Sequence, residues 1–541
     1  MINIKHVNQY NLVFLVSLFC VVFHNNLLFK SIEKVSRLSN TGILSLIFTF
    51  LIIFNLFVIL FTIFTSKYTT KPVLIIILLG SSFASYYMDS YNVMIGHDMI
   101  RNIVQTNMNE SIDLLNLRLV FCVLFLGVIP SLFIYKSNIK YLCFKEDCFS
   151  KIKIISICII TILLMFVTFN KFYMSLFETH KSLKYYVNPI NWMYGTYSFI
   201  EEHSTIKASN LTLIEANPTI QTPPVLDKKK KLVIMVVGEA ARANRFSLNG
   251  YDRKTNPELE QEEVISFSNV YSCGTSTAIS VPCMFSVFDK DTYTHQKGLS
   301  TQNALDILSD TKKVSILWRD NNSDSKGVAL RVNFENYKST ENNQICDTEC
   351  RDEGMLVGLD QYVKNNGTND ILIILHQMGS HGPAYYKRYP KEFEKFTPIC
   401  KTNQLKNCSD ESIGNTYDNT ILHTDYFLSK TIAFLKRYSN THKTAMFYIS
   451  DHGESLGENG HYLHGFPYDV APKNQKHIAS LAWLGSLKSD IDYIKLKSYK
   501  DKSFSHDNVF HTLLGIFDVN SETYIKEKDI FHEAKANHKS L

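Results

Sequence analysis

The chain has 541 residues, 45% of them hydrophobic and 20% charged, and a formal net charge of +5. This composition excludes a disordered chain, a collagen and a small disulfide-rich scaffold. The average hides a division, because residues 1–175 contain 14 Lys and Arg against 7 Asp and Glu, whereas the remaining residues contain 42 against 44. The two parts are therefore predicted to fold in different environments.

Five long apolar runs explain the low charge of the first part of the chain. They cover residues 11–29, 42–65, 72–88, 116–135 and 152–170. A helix of about 20 apolar residues spans the hydrocarbon core of a bilayer. No small-residue cleavage site follows the first run, so we interpret it as a retained helix and not as a signal peptide. The sequence predicts an α-helical membrane domain with five spans over residues 1–175.

Basic residues in the loops indicate the orientation of these spans, because Lys and Arg accumulate on the cytoplasmic side of a membrane. Loops 66–71 and 136–153 carry two and five lysines, and the loop at 89–118 has a net charge of −2. The loop at 30–41, with three basic residues, argues against this orientation. The balance favours a cytoplasmic N-terminus and a large extracytoplasmic C-terminal part. Because the excess positive charge flanks membrane helices, no nucleic-acid partner is predicted.

Six of the eleven cysteines lie in the C-terminal part of the chain, where they form three close pairs. The pairs are Cys273 and Cys283, Cys346 and Cys350, and Cys400 and Cys408. Even, paired usage is typical of disulfides in an oxidising compartment such as a periplasm. A zinc site built from these cysteines is the alternative, and the lack of a CxxC spacing argues against it.

The C-terminal part is predicted to be an α/β domain over residues 231–541. It follows a linker at 176–230, whose Tyr- and Trp-rich segment predicts an interfacial helix. Short apolar runs alternate with helical stretches, and these runs read as buried strands. They cover residues 232–238, 314–318, 371–375, 445–450 and 478–485. The alternation predicts a mostly parallel sheet with helices on both faces.

Polar residues follow four of these predicted strands. They are Glu239 after the first, residues 319–322 after the second, His376 and the motif GSHGP (379–383) after the third, and Asp451 with His452 after the fourth. In open α/β sheets, binding sites form beyond the carboxyl ends of the strands. One active site assembled from these four ends is therefore predicted.

The motif SDHGESLGENGHYLHG (450–465) is a candidate metal site. It contains Asp451, His452, Glu454, Glu458, His461 and His464. Such N and O ligands suit zinc. A second histidine cluster, His376 and His381, strengthens the metal interpretation.

The motif SCGTSTAISVPCMFS (272–286) offers three hydroxyls, Thr275, Ser276 and Thr277, just before an apolar helical run. One of them is expected to cap the helix. A helix N-terminus also binds phosphate, and a hydroxyl on a divalent cation becomes a nucleophile near neutral pH. Composition leaves the choice among the three open. In WRDNNSDSKG (318–327), Asn322 and Lys326 suit phosphate oxygens.

Several long segments together resemble the lipid A phosphoethanolamine transferases, which include the mobile colistin-resistance enzymes of the alkaline phosphatase/sulfatase superfamily. The resemblance covers nearly the whole chain, including the N-terminal helices. The segments are VVGEAARANRFSLNGYDRKTNP, SCGTSTAISVPCMFS, WRDNNSDSKG, LHQMGSHGPAYYKRYP and YISDHGESLGENGHYLHG.

The resemblance implies a role for each candidate residue. A catalytic zinc ion would be bound by four residues, and Thr277 among them would be the nucleophile. These four are Glu239, Thr277, Asp451 and His452. His381 and His464 would hold the substrate phosphate or a second, weaker zinc ion, and either would serve as general acid or base. Asn322 and Lys326 would contact the phosphoethanolamine group.

A further segment, RNIVQTNMNE, matches the part of this family that binds the lipid headgroup. The matching residues are Asn102, Thr106 and Glu110. Their spacing of four predicts that all three share one helix face, where Glu110 could meet an ammonium group.

The implied activity is a ping-pong transfer of phosphoethanolamine from phosphatidylethanolamine to a phosphate of lipid A in lipopolysaccharide. The enzyme would be a monomer in a bacterial inner membrane, with its catalytic domain in the periplasm, and its product would bind polymyxin, colistin and other cationic peptides less well. Three alternatives stay open: transfer to a core sugar or another glycan, hydrolysis by a membrane-bound phospholipase or phosphatase, and a silent lipid-binding protein.

Overall fold

The computed structural model describes residues 7–36, 42–106, 108–208, 211–214, 217–220 and 229–535. The chain packs as two compact units. The first, here the membrane unit, contains the residues up to Ile100 together with Leu114–Phe199. The second, here the catalytic unit, contains Arg101–Asp113 and Ile200–Leu541. The domain boundaries at 175 and 230 stay predictions.

Four helical stretches are long and apolar enough to cross a membrane. They are Ile43–Phe64, Thr70–Tyr91, Leu117–Lys136 and Phe144–Thr168. The first apolar run forms two shorter helices instead, Gln9–His24 and Asn26–Ser36, which bend by 61° at their junction. The described residues therefore contain four spans, or five if the bent pair is one span, where the sequence predicts five.

The bend lies at Asn25, a buried residue between the two helices. Its side-chain amide donates hydrogen bonds to the carbonyl oxygens of Cys20 at 2.9 Å and Asn188 at 2.6 Å, and its side-chain oxygen accepts one from the amide of Asn188. Backbone groups released where a helix breaks inside an apolar region need such partners. This pair of asparagines therefore accounts for the break in the first run.

The other polar side chains of the membrane unit bond mainly within their own helices. Thr49, Asn55 and Thr161 each donate to the carbonyl oxygen four residues earlier, at 2.7–2.8 Å. Such bonds satisfy the polar group within its own helix. The Thr49 hydroxyl also lies 3.5 Å from the hydroxyl of Tyr173.

Helices are numbered along the chain. Those up to residue 208 are α1 (Gln9–His24), α2 (Asn26–Ser36), α3 (Gly42–Phe64), α4 (Thr70–Tyr91), α5 (His97–Gln105), α6 (Met108–Leu114), α7 (Leu117–Val123), α8 (Ile129–Lys136), α9 (Phe144–Thr168), α10 (Asn170–Thr179) and α11 (Ile190–Ala208). A π-helical turn at Leu124–Val128 joins α7 to α8. Most of the aromatic segment of the predicted linker lies in α11.

The remaining helices are α12 (Thr277–Met284), α13 (His295–Ser300), α14 (Ala304–Asp310), α15 (Leu359–Asn365), α16 (Asp410–Lys436), α17 (Lys473–Lys476), α18 (Tyr493–Lys497) and α19 (Val509–Ile516). An eight-stranded sheet lies among them. Its strands are β1 (Lys230–Gly238), β2 (Val264–Tyr271), β3 (Val314–Asp320), β4 (Asn333–Asn336), β5 (Asp370–His376), β6 (His442–Ser450), β7 (His477–Trp483) and β8 (Phe504–Ser505). Two-residue strand pairs occur outside this sheet, for example Ser455–Leu456 with Tyr462–Leu463.

The spatial order of the sheet is β8-β2-β7-β6-β1-β5-β3-β4. All neighbouring pairs are parallel except those of β7, which runs antiparallel to both β6 and β2. This arrangement confirms the predicted mostly parallel sheet. Since β2 and β6 are both antiparallel to β7, they run in the same direction, and the carboxyl ends of β1, β2, β3, β5 and β6 meet at one edge.

Strand β2 was not among the predicted strands. Its sequence VISFSNVY alternates between buried and half-buried residues and lies near the end of the sheet. Continuous apolar runs indicate strands that are covered on both faces. A strand with one partly polar face does not produce that signal.

The core lies on both faces of the central strands. Along β1, all residues from Leu232 to Val237 are fully buried. Val233, Met235 and Val237 belong to a cluster that also contains apolar residues of α12, α14 and α19. The alternate residues point to the other face of the sheet, where the long helix α16 packs against β6.

Strand β1 ends at Gly238, where the packing leaves room for no side chain. A Cβ atom there would lie 2.4 Å from the hydroxyl oxygen of Tyr448. Tyr448 is fully buried in β6, directly beside β1. The glycine therefore allows the two strands to deliver the residues that follow them, Glu239 and Asp451, side by side.

Candidate active site

Three fully buried residues, Glu239, Asp451 and His452, converge at the carboxyl ends of β1 and β6. The Nε2 atom of His452 lies 3.4 Å from Oε1 of Glu239 and 3.3 Å from Oδ2 of Asp451. Neither of those two carboxylate oxygens has a hydrogen-bond partner. Buried carboxylate oxygens are stable only when they are paired or coordinate a metal. These atoms therefore fit a cation bound among them.

The charge state of the cluster also suits a metal. Burial, together with the nearby Asp451 carboxylate, raises the pKa of Glu239 well above its usual value. Burial lowers the pKa of His452 to about 4, so its imidazole is neutral at pH 7. Its Nδ1 donates to the carbonyl of Gly453 at 2.8 Å, which leaves the lone pair on Nε2. A neutral imidazole with a free nitrogen is the form that binds metals.

Of the three candidate hydroxyls, only Thr277 faces this cluster. Its Oγ1 donates a hydrogen bond to Oε2 of Glu239 at 3.1 Å and lies 3.4 Å from Nε2 of His452. Thr275 instead donates to the carbonyl of Phe466 at 2.6 Å. Ser276 occupies the N-cap position of α12, but its side chain makes no capping bond. The geometry thus selects Thr277, the first residue of α12, as the candidate nucleophile.

The disulfides confirm the three predicted cysteine pairs. Bonds join Cys273 to Cys283, Cys346 to Cys350, and Cys400 to Cys408. The first of these brackets Thr277 and joins the loop before α12 to the helix itself. The other five cysteines, all within the described residues, are free thiols. A zinc site built from the paired cysteines is therefore excluded.

His381 and His464 lie beside the cluster. The ring centroid of His464 is 4.1 Å from that of His452 and 5.9 Å from that of His381. Nδ1 of His464 lies 3.3 Å from Oε1 of Glu454, a fully buried carboxylate. Burial, and then the positive charge of Arg388, lower the pKa of His381 well below its usual value. His464 therefore lies next to His452, and His381 lies next to His464.

Other polar residues of the predicted clusters have partners outside the group of candidate metal ligands. Glu458 pairs with Arg242, and the ring of His461 packs on Phe466 at 5.1 Å. His376 pairs with Asp320, whose Oδ2 lies 2.8 Å from its Nδ1 within the core. Its place in a second histidine cluster with His381 stays a prediction. A histidine at the last position of a strand still points into the core when its partner carboxylate is there.

Asn322 reaches the cluster directly. Its side-chain amide donates to Oε2 of Glu239 and to the carbonyl of Gln377, both at 2.9 Å. Asp320 holds the turn, because its Oδ1 accepts the amides of Asn322 and Asp324 at 3.0 Å. Burial would raise the pKa of Asp320, but His376 and Trp318 hold that pKa below its usual value.

The Nζ atom of Lys326 donates to the carbonyl of Ser323 at 2.7 Å and to that of Gln105 at 3.4 Å. Lys326 therefore contacts the segment Arg101–Asp113, in which the predicted headgroup residues lie. Its side chain is half-buried beside that segment.

The headgroup segment departs from its predicted form. Helix α5 ends at Gln105 and α6 begins at Met108, so Asn102, Thr106 and Glu110 do not share one helix face. The Thr106 hydroxyl donates to the carbonyl of Asn102 at 2.6 Å. Threonine and asparagine side chains that bond to the backbone favour helix ends, which explains a break here. The side chain of Glu110 lies outside the described residues.

Asp352 supports the site, although no motif pointed to it. The carboxylate is buried and accepts four hydrogen bonds at 2.8–3.1 Å. Its donors are the side chains of Asn321 and Gln377 and the backbone amides of Met378 and Gly379. It therefore fixes the start of the GSHGP loop, which carries His381. Nothing in the sequence distinguishes Asp352 from other acidic loop residues.

Tyr417 and His506 hold the strand ends that carry the candidate metal ligands. The Tyr417 hydroxyl donates to the carbonyl of Ala240, a residue with φ of 55°, at 2.6 Å. His506 donates from Nε2 to the carbonyl of Ser450 at 2.9 Å and accepts the amide of Cys273 at Nδ1, 3.2 Å away. His506 thus joins the strand before Asp451 to the loop before Thr277. Both residues come from distant parts of the chain, so no local spacing indicates them.

Two family profiles match the chain. The sulfatase family matches residues 231–519. The family described as phosphoethanolamine transferase EptA/EptB matches residues 53–204.

Individual proteins match almost the whole chain. The phosphatidylethanolamine transferase Mcr-1 of Escherichia coli is 40% identical over 538 residues, which is 97% of this chain and 98% of that protein. The phosphoethanolamine transferase EptA of Escherichia coli strain K12 is 37% identical and covers 89% of each chain. The solved structure of the integral membrane protein lipooligosaccharide phosphoethanolamine transferase A (EptA) from Neisseria meningitidis matches with a TM-score of 0.92 and 32% identity. That match covers 98% of this chain and 100% of the other.

Proposed function

Because the chain belongs to the phosphoethanolamine transferases of the alkaline phosphatase/sulfatase superfamily, we propose that it transfers phosphoethanolamine from phosphatidylethanolamine to a phosphate of lipid A. The observation that carries this proposal is the contact of Thr277 with Glu239 and His452 at the carboxyl edge of the sheet. A hydroxyl nucleophile beside a cation site suits phosphoryl transfer.

Zinc suits this site, since the cluster offers one imidazole nitrogen, two carboxylates and a hydroxyl. A zinc ion bound there supplies positive charge that lowers the pKa of the threonine hydroxyl and offsets charge on the phosphoryl oxygens. The four ligands would be Glu239, Thr277, Asp451 and His452. The two orphaned carboxylate oxygens support this set. His381 and His464 are the candidates for a second, weaker zinc site.

In the first step, Oγ1 of Thr277 attacks the phosphorus of phosphatidylethanolamine. An oxygen–phosphorus bond forms, the bond to the diacylglycerol oxygen breaks, and phosphoethanolamine stays on Thr277. Thr277 begins α12, and the partial positive charge of a helix N-terminus stabilises the phosphate there. Asn322 and Lys326 contact the transferred group. Asn102, Thr106 and Glu110 would contact the lipid headgroup before the transfer.

In the second step, a phosphate hydroxyl of lipid A attacks the phosphorus from the opposite side and releases Thr277. His381 and His464 serve both steps by binding phosphate oxygens and by passing a proton to the leaving oxygen or from the acceptor. The contact between His464 and Glu454 orients one of these rings. Lipid A modified in this way is less negative and binds polymyxin and colistin less well.

The membrane spans and the three disulfides support the proposed location. The protein would lie in a bacterial inner membrane as a monomer, with its catalytic unit in the periplasm. Donor and acceptor lipids are both present at that membrane surface, so neither has to be carried through water.

The experiment is mass spectrometry of lipid A from cells that express the chain. Wild type should add phosphoethanolamine to a lipid A phosphate, and Thr277→Ala should add none. Ser276→Ala is the matched control, because its hydroxyl oxygen makes no hydrogen bond and its loss should leave the modification intact. Modified lipid A in the Thr277→Ala strain would contradict the nucleophile assignment.

The same experiment separates the other functions. Phosphoethanolamine on a core sugar would mean a different acceptor, and diacylglycerol release without any modified lipid would mean hydrolysis. The absence of both products would mean a silent lipid-binding protein.

A further inference from the structure

Four charged side chains of the catalytic unit form a closed group, here the Arg388 cluster: Asp113, Glu349, Lys387 and Arg388. The Asp113 carboxylate accepts hydrogen bonds from both Lys387 and Arg388, the latter at 3.1 Å. Arg388 also donates to Glu349. The side chain of Arg388 is only 2% exposed. Two positive and two negative charges balance, as a buried guanidinium requires.

Arg388 also contacts the backbone of a proposed substrate-binding residue. Its Nε donates to the carbonyl of His381 at 2.7 Å. Glu349 lies in the loop closed by the disulfide between Cys346 and Cys350. One guanidinium therefore joins the GSHGP loop, the disulfide loop and the end of α6. A planar group with five fixed donors is suited to such a junction.

Asp113 fastens the end of the segment Arg101–Asp113. Besides its carboxylate contacts, its backbone carbonyl accepts a hydrogen bond from the side chain of Asn403. The start of the segment is held by the ion pair between Arg101 and Glu202, in which Arg101 is buried. The segment that carries Asn102 and Thr106 is thus fixed at both ends. A membrane span begins at Leu117, four residues after Asp113.

The cluster also forms one wall of a cavity. The cavity has a volume of about 430 Å³ and is lined by Asp113, Glu349, Lys387 and Arg388, with Asn321 and Met378 among its other walls. Asn321 and Met378 directly precede Asn322 and the GSHGP loop in the sequence. A cavity of a few hundred Å³ has the size of a small-ligand site. The cluster therefore adjoins the active site on the side of the headgroup segment.

We propose that Asp113 is a positioning residue for the lipid donor, because it fastens the segment Arg101–Asp113, which carries the headgroup residues, to Arg388, Lys387 and Asn403. This inference rests on the proposed function. A phospholipid keeps its acyl chains in the bilayer, so its headgroup has to be held in place while its phosphorus reaches Thr277. The Arg388 guanidinium binds both the carboxylate of Asp113, at the end of the segment, and the backbone carbonyl of His381. A donor without acyl chains reaches Thr277 from water and does not need that positioning.

The test compares two donors with the full-length protein in lipid nanodiscs. One donor is phosphatidylethanolamine, measured by diacylglycerol release, and the other is glycerophosphoethanolamine, which lacks acyl chains, measured by glycerol release. Asp113→Asn should raise KM for phosphatidylethanolamine about tenfold and change kcat less than about twofold, because only positioning of the lipid is lost. Both constants for glycerophosphoethanolamine should match wild type. Asp113→Glu keeps the carboxylate, so its KM for phosphatidylethanolamine should lie close to the wild-type value.

Two further variants separate the role of Asp113 from that of Arg388 and from a nonspecific loss of charge. Arg388→Lys should lower kcat for both donors about tenfold, because one ammonium cannot replace the bond to His381 and both carboxylate contacts. Asp291→Asn removes an acidic side chain that is 89% exposed and should match wild type with both donors.

An equal loss with both donors in Asp113→Asn would mean a structural role and would overturn the inference. No change with either donor would overturn it as well. A wild-type protein that consumes neither donor would overturn the proposed function itself, and that outcome is visible before any variant is measured.

Discussion

The two units of this protein differ in how much their polar groups depend on local and on distant hydrogen bonds. In the membrane unit, side chains such as Thr49 and Thr161 bond to the carbonyl one helical turn earlier. In the catalytic unit, buried side chains bond across the sheet, as Asn322 does with Glu239 over 83 residues of sequence. The first pattern leaves each helix complete in itself. The second makes the site depend on many segments at once.

This difference predicts where a substitution is costly. A local bond is replaced by another local arrangement when one partner is lost, whereas a bond between distant segments leaves a buried group with no partner. Substitutions in the catalytic unit should therefore cost more than chemically identical ones in the membrane helices. The following changes test that contrast, beginning with the largest effect.

Asp451→Asn should remove the bound metal and lower phosphoethanolamine transfer by about a thousandfold or more, because a ligand charge is lost at the centre of the site. Metal content by mass spectrometry and transfer rate measure the two effects. Asp291→Asn, an exposed change in the same unit, is the control. Wild-type metal content in Asp451→Asn would exclude this residue as a ligand.

Asp352→Asn should lower the free energy of unfolding of the catalytic unit by about 3 kcal/mol. The carboxylate accepts four hydrogen bonds, and the NH2 group of asparagine would face two of the same donors. Urea unfolding, followed by fluorescence, gives the value. Asp360→Asn is the matched change at a surface pair with Arg437, where the carboxylate is 54% exposed. That variant should differ from wild type by less than about 1 kcal/mol. Equal costs for the two variants would show that the four hydrogen bonds of Asp352 add nothing to the stability of the catalytic unit.

His452 and His506 should destabilise the metal-free protein as the pH falls from about 6.5 towards 4, whereas the raised pKa values of Glu239 and Asp425 act in the opposite direction. Burial lowers the pKa of His452 and that of His506 to about 4, so below pH 6.5 the unfolded chain takes up protons that the folded chain does not. The expected slope is about 1 kcal/mol per pH unit for each histidine. Urea unfolding at several pH values measures it.

The control for the pH series is His506→Gln. A glutamine amide still offers one donor and one acceptor for the carbonyl of Ser450 and the amide of Cys273. This variant should therefore keep the fold and show a smaller slope. An equal pH dependence of stability in the wild type and in His506→Gln would contradict the assignment of His506 as a buried, neutral histidine.

The smallest effects come from a pair of threonines. Thr420→Val in α16 breaks bonds to the hydroxyl of Ser380 and to the carbonyl of Tyr417, both at 2.7 Å, and should cost about 1–2 kcal/mol. Thr161→Val in α9 loses only the bond to Ile157 and should cost less than about 0.5 kcal/mol. Thermal unfolding of both variants in the same detergent compares them. A larger cost for Thr161→Val would reverse the contrast.

The same contrast explains how far the sequence predicts the structure. The apolar runs indicate the spans and the central strands, because burial on all sides leaves a continuous signal. The 61° bend in the first run depends on the pairing of Asn25 with Asn188, and that pairing lies far beyond any local pattern. Likewise β2, with one partly polar face, carries no continuous apolar run.

The site follows the same rule. Glu239, Asp451 and His452 were indicated because each follows a strand end, and parallel strands bring such ends together. The choice of Thr277 over Thr275 and Ser276 needed the direction of each hydroxyl, which composition does not contain. Asp352 and His506 have no recognisable spacing, since their partners come from other loops. His376 has the expected position in the sequence but points into the core.

The close approach of Gly238 to Tyr448 also restricts how this chain can change over generations. A methyl group at position 238 collides with the tyrosine ring and hydroxyl, at 2.4–2.6 Å, so a mutation there is harmful while Tyr448 is present. It becomes tolerable only in a lineage in which residue 448 has first been replaced by a smaller side chain. Both positions can therefore change only if residue 448 changes first. Variants of this chain that emerge under drug pressure should retain Gly238 and Tyr448 together.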